Sequence, residues 1–515
     1  MRIEDFPVEM NPVPGAMPVW RGSVHAGQWR ALAQQVRGKG GRLVALWGAE
    51  LGGLDRGFEI HMALTVRSGL VWLSLLVPAE RPEFPDVSDI FPAANRMQRA
   101  AFDLLGVRAS GSEDNRQWLR HAAWPAHEFP LRKGTAATAT GPDGADHYPF
   151  VQVSGEGVHE IPVGPVHAGI IEPGHFRFSI VGERVLRLEE RLGYKHKGIE
   201  KRFEAMNILD GARLAGRVSG DSTVAYAWAY CMAAEGAAFH SPPERVQWLR
   251  ALLLERERIA NHLGDLGFLA NDAGLAFGLA QFSRLKEDLL RLNHALFGHR
   301  YLMDVIVPGG VARDIDSAGV QAMRAQIGAL RAEVRRLKII FDEHTGLQDR
   351  FIGAGRVAPE LADRLGLCGL AGRASGMSWD LRVQFPPTPY DSLDVRMATH
   401  RNGDVAARVT VRFEEVMESL DLCWVILDRL PRGEVLPHLP VPTDESFGLG
   451  WVEGWRGEVL VALEAGPSGS LRRVHPHDPS WHNWPLLEHA VIGNIVPDFP
   501  LINKSFNLSY SGVDL

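Results

Sequence analysis

Apolar and polar positions along the chain fall into two regimes. In the first, FEIHMALTVRSGLVWLSLLVP at 58–78 holds two β-rich apolar runs around Arg-Ser-Gly, which predicts a hairpin, and AANRMQRAAFDLLGV at 93–107 carries its apolar residues at helical spacing. In the second, strand-like runs around FRFSIVGERVLRLEERL give way to long helical patterns over 200–236, 242–271, 276–298, 315–347 and 405–429. Between them, KGTAATATGPDGADH at 133–147 has neither period and reads as a linker. The pattern therefore predicts an α+β chain. A small N-terminal α+β domain spans 1–132, a linker 133–150, and a large, mainly helical domain with a small β cap 151–515. No internal repeat or heptad array is present, and the Pro-rich run FPPTPY at 385–390 reads as a rigid surface loop.

Composition narrows the function classes. With 45% hydrophobic and 23% charged residues the 515-residue chain is ordinary globular material, long enough for two or more cores. A net charge of -7 without a dense Lys/Arg block argues against nucleic acid as a partner. The longest apolar runs, such as LVWLSLLV at 70–77, fall far short of the roughly 20 residues a bilayer span needs, and the acidic start MRIEDFPVEM is unlike a signal peptide, so the expected location is cytoplasmic. Cys231, Cys368 and Cys423 are isolated and form no C-x-x-C pair, which leaves no support for a disulfide framework or for an iron–sulfur or zinc site within the chain. They read as buried small hydrophobes.

Candidate chemistry sits in two places. In GPVHAGIIEPGHFRFSIVGERVLRLEERLGYKHKGIEK, 164–201, a Pro/Gly turn presents Glu172 and His175, with His167 upstream and His196 downstream. A histidine beside a carboxylate is suited to donating a proton or holding a polar ligand, and such residues also serve as caps or packing groups; composition alone leaves both readings open. The second place is GRVSGDSTVAYAWAYC, 216–231, where Ser219 and Ser222 are spaced as two metal-binding cysteines would be.

Resemblance supplies a context for both. GPVHAGIIEPGHFRF, LGYKHKGIEK, ERERIANHLGDLG, VPGGV, SGMSWDLR and HDPSWHNW occur in the order found in the large subunit of group 4 nickel–iron hydrogenases of the formate hydrogenlyase type, and in its relative, the quinone-site subunit of complex I (NADH:quinone oxidoreductase). The likeness spans roughly 150–500. FPDVSDIFPAANRMQRAAFDLLGV and WPAHEFPLRKG resemble a degraded form of the small complex I subunit that docks beside it, fused here at the N-terminus. The resemblance implies the nickel–iron hydrogenase large-subunit fold.

In those hydrogenases four cysteines bind nickel and iron; the matching positions here are Ser219, Ser222, Ser480 and Asn483. Hydroxyls and an amide are poor donors for such metals, so the resemblance implies a metal-free member, matured without the C-terminal proteolysis that follows nickel insertion. It further implies that His175 takes the place of the histidine that holds the quinone head group, with Asp272 behind it. Glu172 takes the place of the proton-gate glutamate, and Thr223 falls near the position of the quinone-ligating tyrosine. Tyr226, at i+4 from Ser222, reaches the same cavity or packs in the core; Asp272 is a ligand-supporting acid or a helix-terminal cap. Arg217 and Asp478 are expected to pair across the emptied cavity.

The implied function is that of a redox subunit in a membrane-bound complex I-like or hydrogenase-like assembly, taking electrons from a partner's iron–sulfur cluster to a quinone or similar acceptor. The alternative is a non-catalytic coupling or scaffold subunit of the same assembly. Either requires an iron–sulfur small subunit and antiporter-like membrane subunits, with this chain peripheral on the inner face of the cell membrane and binding no cofactor alone.

Overall fold

The predicted hairpin forms as β4 (Phe58–Val66) and β5 (Gly69–Val77), antiparallel, and β2 (Val19–Val24) runs parallel along the other edge of β5, which is buried except at Leu76. Gly69 permits the tight turn, since a Cβ there would lie 2.2 Å from the carbonyl of Pro18. β1 (Asn11–Val13) and β3 (Leu43–Glu50) complete the sheet in the order β1-β2-β5-β4-β3. Helix α1 (Ala26–Gly38) and helix α2 (Ala94–Leu105) accompany it, α2 against β3, and a short parallel pair, β6 (Glu83–Pro85) with β7 (Arg108–Ser110), flanks α2. A computed structural model of the chain describes every residue except 53–56, 122–123, 126–127, 134, 136–146, 170 and 437, so most of the expected linker lies outside the described residues.

The second part opens on the antiparallel sheet β10-β9-β8 (Arg184–Arg191, His175–Val181, Val158–Val163). Helices α3 (Ile199–Phe203), α4 (Gly211–Ala215), α5 (Thr223–Ala237), α6 (Glu244–Asp272) and α7 (Ala276–Phe297) follow. A two-residue ladder, β11 (Ile306–Val307) with β12 (Gly310–Val311), leads to α8 (Ser317–Glu343), α9 (Thr345–Phe351), α10 (Pro359–Leu365), α11 (Gly369–Ala374), α12 (Leu381–Gln384) and α13 (Val405–Arg429). The four long helical patterns after residue 240 thus appear as α6, α7, α8 and α13, while 200–236 divides into three helices at its glycines.

A sheet that the periodicity does not predict, β13 (Ser446–Glu453), β14 (Glu458–Ala465) and β15 (Leu471–His477), packs on α5, and α14 (Ser480–Ala490), α15 (Phe499–Phe506) and α16 (Ser511–Asp514) close the chain. Every residue of α5 is buried. Its backbone lies directly on β13 because Gly448 and Gly450 carry no Cβ: one at either position would sit 1.8 Å from the carbonyls of Ala233 and Ala229. The run 385–390 is less superficial than its prolines suggest, for Tyr390 is buried and its hydroxyl donates to Glu255 at 2.6 Å. Cys231, Cys368 and Cys423 are buried and unbridged, as expected.

The hydrophobic core is continuous between the two parts. Trp47 of β3 stacks on His475 of β15 at 5.1 Å, Arg473 donates to the Gly48 carbonyl, and Arg42 pairs with Glu458 at 2.9 Å. Among the described residues no helix is long and apolar enough to cross a membrane.

Candidate functional site

Residues matching the hydrogenase ligand positions lie at two helix starts. Ser222 is the N-cap of α5, Ser219 stands three residues earlier, and Ser480 and Asn483 occupy the first turn of α14. All four are buried. The C-terminal segment, whose conformation the sequence did not disclose, joins them: Ser509 shares a hydrogen bond with Ser219 (Oγ to Oγ, 2.9 Å), and its backbone N–H donates to Ser480 Oγ at 2.9 Å. Ser219 also donates to Asp221 at 2.8 Å. Ser222 accepts from Arg456 at 3.2 Å. Asn483 accepts from the Cys368 N–H at 3.1 Å and faces its thiol at 3.5 Å; burial raises that thiol well above the ordinary range, so it stays neutral.

This donor set does not fit a nickel–iron centre. It offers hydroxyls and an amide in place of thiolates, and each is engaged by a protein partner. The positive charge that faces the serines is Arg456, from the turn between β13 and β14, which pairs with Asp221 at 2.8 Å. Burial alone would raise the Asp221 carboxyl, but Arg456 and the Ser219 hydroxyl outweigh it and hold it down to about 2.

The expected Arg217–Asp478 pair is not made. Arg217 turns outward to Asp304, with contacts of 2.6 and 2.7 Å, while Asp478 accepts from Tyr226 Oη at 2.8 Å and from the Ser480 N–H. A surface partner lets Arg217 keep its hydration, whereas the buried Asp478 is matched by neutral donors. Tyr226 thereby ties the α5 start to the α14 start. Burial, and next the Asp478 carboxylate, raise its hydroxyl far above the usual range, so it acts as a fixed donor. Thr223 is buried, and its hydroxyl has no hydrogen-bond partner among the described residues.

The turn carrying Glu172 and His175 joins the same network through the C-terminal segment. Glu172 accepts from the Ser511 N–H at 3.1 Å, and Gly174 lies so close to Tyr510 that a Cβ would meet its ring at 2.5 Å. His175 opens β9 with its ring buried. Nδ1 faces the Gly164 carbonyl at 3.3 Å, and Nε2 accepts from Arg177 Nε at 3.4 Å. Burial, and then Arg177, Arg191 and His167, lower its pKa, which makes the neutral ring the resting form. Asp272 does not stand behind it: it ends α6 beside Asn271, and burial raises its carboxyl against the pull of Asn271 and Lys504. The expected His175–Asp272 couple is therefore replaced by His175 with Arg177, whose guanidinium is held by Glu160 at 2.9 Å.

The word ERERIANHLGDLG is a brace beneath the site. Glu257 of α6 accepts the N–H groups of Val224 (2.7 Å) and Ala225 (3.2 Å), satisfying the first turn of α5, and Asn261 donates to the Asp221 carbonyl at 2.7 Å. Burial pushes the Glu257 carboxyl up to about 8. The folded chain keeps this proton from about pH 4.5, where an unfolded glutamate loses it, to about 8, so this group's contribution to stability falls as pH rises across that window. Glu257→Gln, which cannot ionise, is expected to gain in urea midpoint relative to the parent as pH rises through it; a constant difference between the two would contradict the assignment. Asp221, Arg456, Ser509 and Glu257 are the site residues that local sequence spacing does not reveal.

Comparisons with known proteins show the family. Residues 272–444 match the family described as "Respiratory-chain NADH dehydrogenase, 49 Kd subunit", and residues 23–141 match the 30 Kd subunit of the same enzyme. The chain is 31% identical over 484 residues to formate hydrogenlyase subunit 5 of Escherichia coli (strain K12), covering 92% of this chain and 85% of that protein. It is 30% identical over 446 residues to the C/D component of NADH-quinone oxidoreductase from Phocaeicola vulgatus, covering 82% and 85%. A chain of the membrane-bound sulfane sulfur reductase, an archaeal respiratory membrane complex, superposes with a TM-score of 0.66 at 25% identity, over 70% of this chain and 99% of that one.

Proposed function

We infer, from the premise that this chain belongs to the family of group 4 hydrogenase large subunits and complex I quinone-site subunits with a fused N-terminal 30 Kd-type domain, that it works as the redox subunit of such an assembly. Its relatives are oxidoreductase subunits of complex I-like or hydrogenase-like complexes. In this reading the chain passes electrons from an iron–sulfur cluster in a partner small subunit to a quinone or similar acceptor, without nickel–iron chemistry. It sits on the inner face of the cell membrane through antiporter-like partners. The observation that carries the metal-free part of the reading is the set Ser219, Ser222, Ser480 and Asn483, closed by Ser509, Arg456 and Cys368 where thiolates would have to bind metal.

Within the chain, His175 would orient the acceptor through its ring and the neighbouring Arg177 would offset charge that develops on it. Glu172, half-buried and anchored by the Ser511 N–H, would relay the protons that reduction consumes. Purified complex is expected to contain no stoichiometric nickel, and elemental analysis finding about one nickel per chain would overturn the metal-free part of the reading.

A second reading, a coupling or scaffold subunit, is favoured by the same closure of the serine network, which leaves its hydroxyls with protein partners rather than with a ligand. Donor-to-quinone electron transfer in membranes, compared between the parent and His175 variants, separates the two.

A further inference from the structure

We propose that Glu59, His61 and Glu464 form a divalent-cation site of the zinc class that clasps the N-terminal sheet to the sheet of the second part. Glu59 and His61 lie two apart on β4 and so point to one face of that strand; Glu464 comes from β14. The His61 ring is fully buried between Trp47 and Trp72, at 5.1 and 5.5 Å, and its Nδ1 is held by Ser74 Oγ at 2.9 Å. This leaves Nε2 directed at Glu464 Oε1, 3.4 Å away, and at Glu59 Oε2, 3.8 Å away. Apart from this approach to each other, neither His61 Nε2 nor Glu464 Oε1 has a hydrogen-bond partner among the described residues, although both residues are more than nine-tenths buried.

Three donors from two strands meeting at one point is what a metal needs. The donor atoms lie within 4.8 Å of one another. In a tetrahedral zinc site with bonds of about 2.0–2.2 Å, neighbouring donors stand about 3.4 Å apart, so the histidine–Glu464 separation already fits and Glu59 must draw closer. One imidazole and two carboxylates suit zinc or manganese, and the Ser74 hydroxyl supplies the outer hydrogen bond that ligating histidines usually have. The fourth position is left open to water.

Charge decides how tight the site can be. Arg21 donates to the same Glu59 Oε2 at 3.3 Å and would have to yield it to the ion, and Arg472 approaches the second oxygen of Glu464 at 3.5 Å. Each guanidinium draws electron density from a ligand and repels the incoming cation. Affinity is therefore expected below that of a structural zinc site, and binding should steady the joint between the two parts rather than decide whether the chain folds.

The test uses the full purified chain, stripped with a chelator and titrated with zinc chloride while heat release and thermal unfolding are followed. The parent is expected to bind one ion and to unfold at a temperature higher by a few degrees, reversibly on chelation. His61→Gln and Glu464→Gln are expected to lose both effects, while His159→Gln, at an exposed histidine, should keep them. Cobalt in place of zinc should give the visible absorption of a four-coordinate site in the parent, a readout that needs no variant. Absence of binding by the parent, or equal binding by His61→Gln, would overturn the proposal and leave an imidazole packed between two carboxylates.

Discussion

Replacing His175 by alanine is expected to lower donor-to-quinone electron transfer about a hundredfold, the lower end for losing a positioned proton donor or acceptor, while the subunit still assembles with its partners. The residue begins a strand at the end of a Pro/Gly turn, and its neighbours Arg177 and Phe150 are held independently by Glu160 and Tyr148. His175→Met keeps the bulk, removes both nitrogens and should behave like the alanine variant. A pH profile distinguishes chemistry from packing. Because burial and the nearby cations lower the imidazole pKa, the ring is neutral at pH 6.5 and above, and an acceptor held by the neutral ring should be reduced at a rate that is level there and falls only in more acidic solution. That acid limb should vanish in the methionine variant. Rates normalised to assembled complex that match the parent in both variants would leave the scaffold reading as the better one.

Long helices were legible because each repeats its apolar face over several turns: α6, α7, α8 and α13 start and stop within a few residues of their predicted bounds. The sheet of β13, β14 and β15 was not, and Gly448 and Gly450 explain why. Glycines inside a strand erase the apolar alternation, yet here they are what lets α5 rest on the strand backbone. The candidate site divides in the same way. Positions that carry a local word, Glu172, His175, Ser219, Ser222, Ser480 and Asn483, could be named from the sequence. Their partners could not, because Arg456 lies 235 residues from Asp221 and Ser509 lies 290 from Ser219. Arg217 was paired with Asp478 by proximity to the serines in sequence; the fold instead gives it a surface aspartate and brings an arginine from a distant turn.

Below the site, a buried lattice of charge holds α6, α11, α12, α13 and β13 together, and Glu415 pairs with three of its basic side chains. Its Oε1 accepts from Arg373 Nε at 2.9 Å and its Oε2 from His262 at 2.8 Å, with Arg258 at 3.7 Å; none of these side chains is more than 2% exposed. Arg373 also meets Glu453 at 2.7 Å, and Arg382 bridges Glu255 and Asp380. Glu415→Gln keeps the shape but strips one negative charge from between two buried guanidinium groups, and breaking one member of such a set costs about 3–5 kcal/mol. Against a total of about 5–15 kcal/mol that is a large share, so the urea midpoint at neutral pH should drop sharply. Burial alone would raise the Glu415 carboxyl, but Arg373 and His262 hold it far below its ordinary value. Its stabilisation is therefore complete above about pH 4.5 and is lost as pH falls below that, in the window where Glu200 and Asp380, each held at about 2, also lose theirs. The parent should show a steep acid limb there, and Glu415→Gln a shallower one from an already lower plateau. A single variant as stable as the parent would show that the lattice contributes little to holding these elements together.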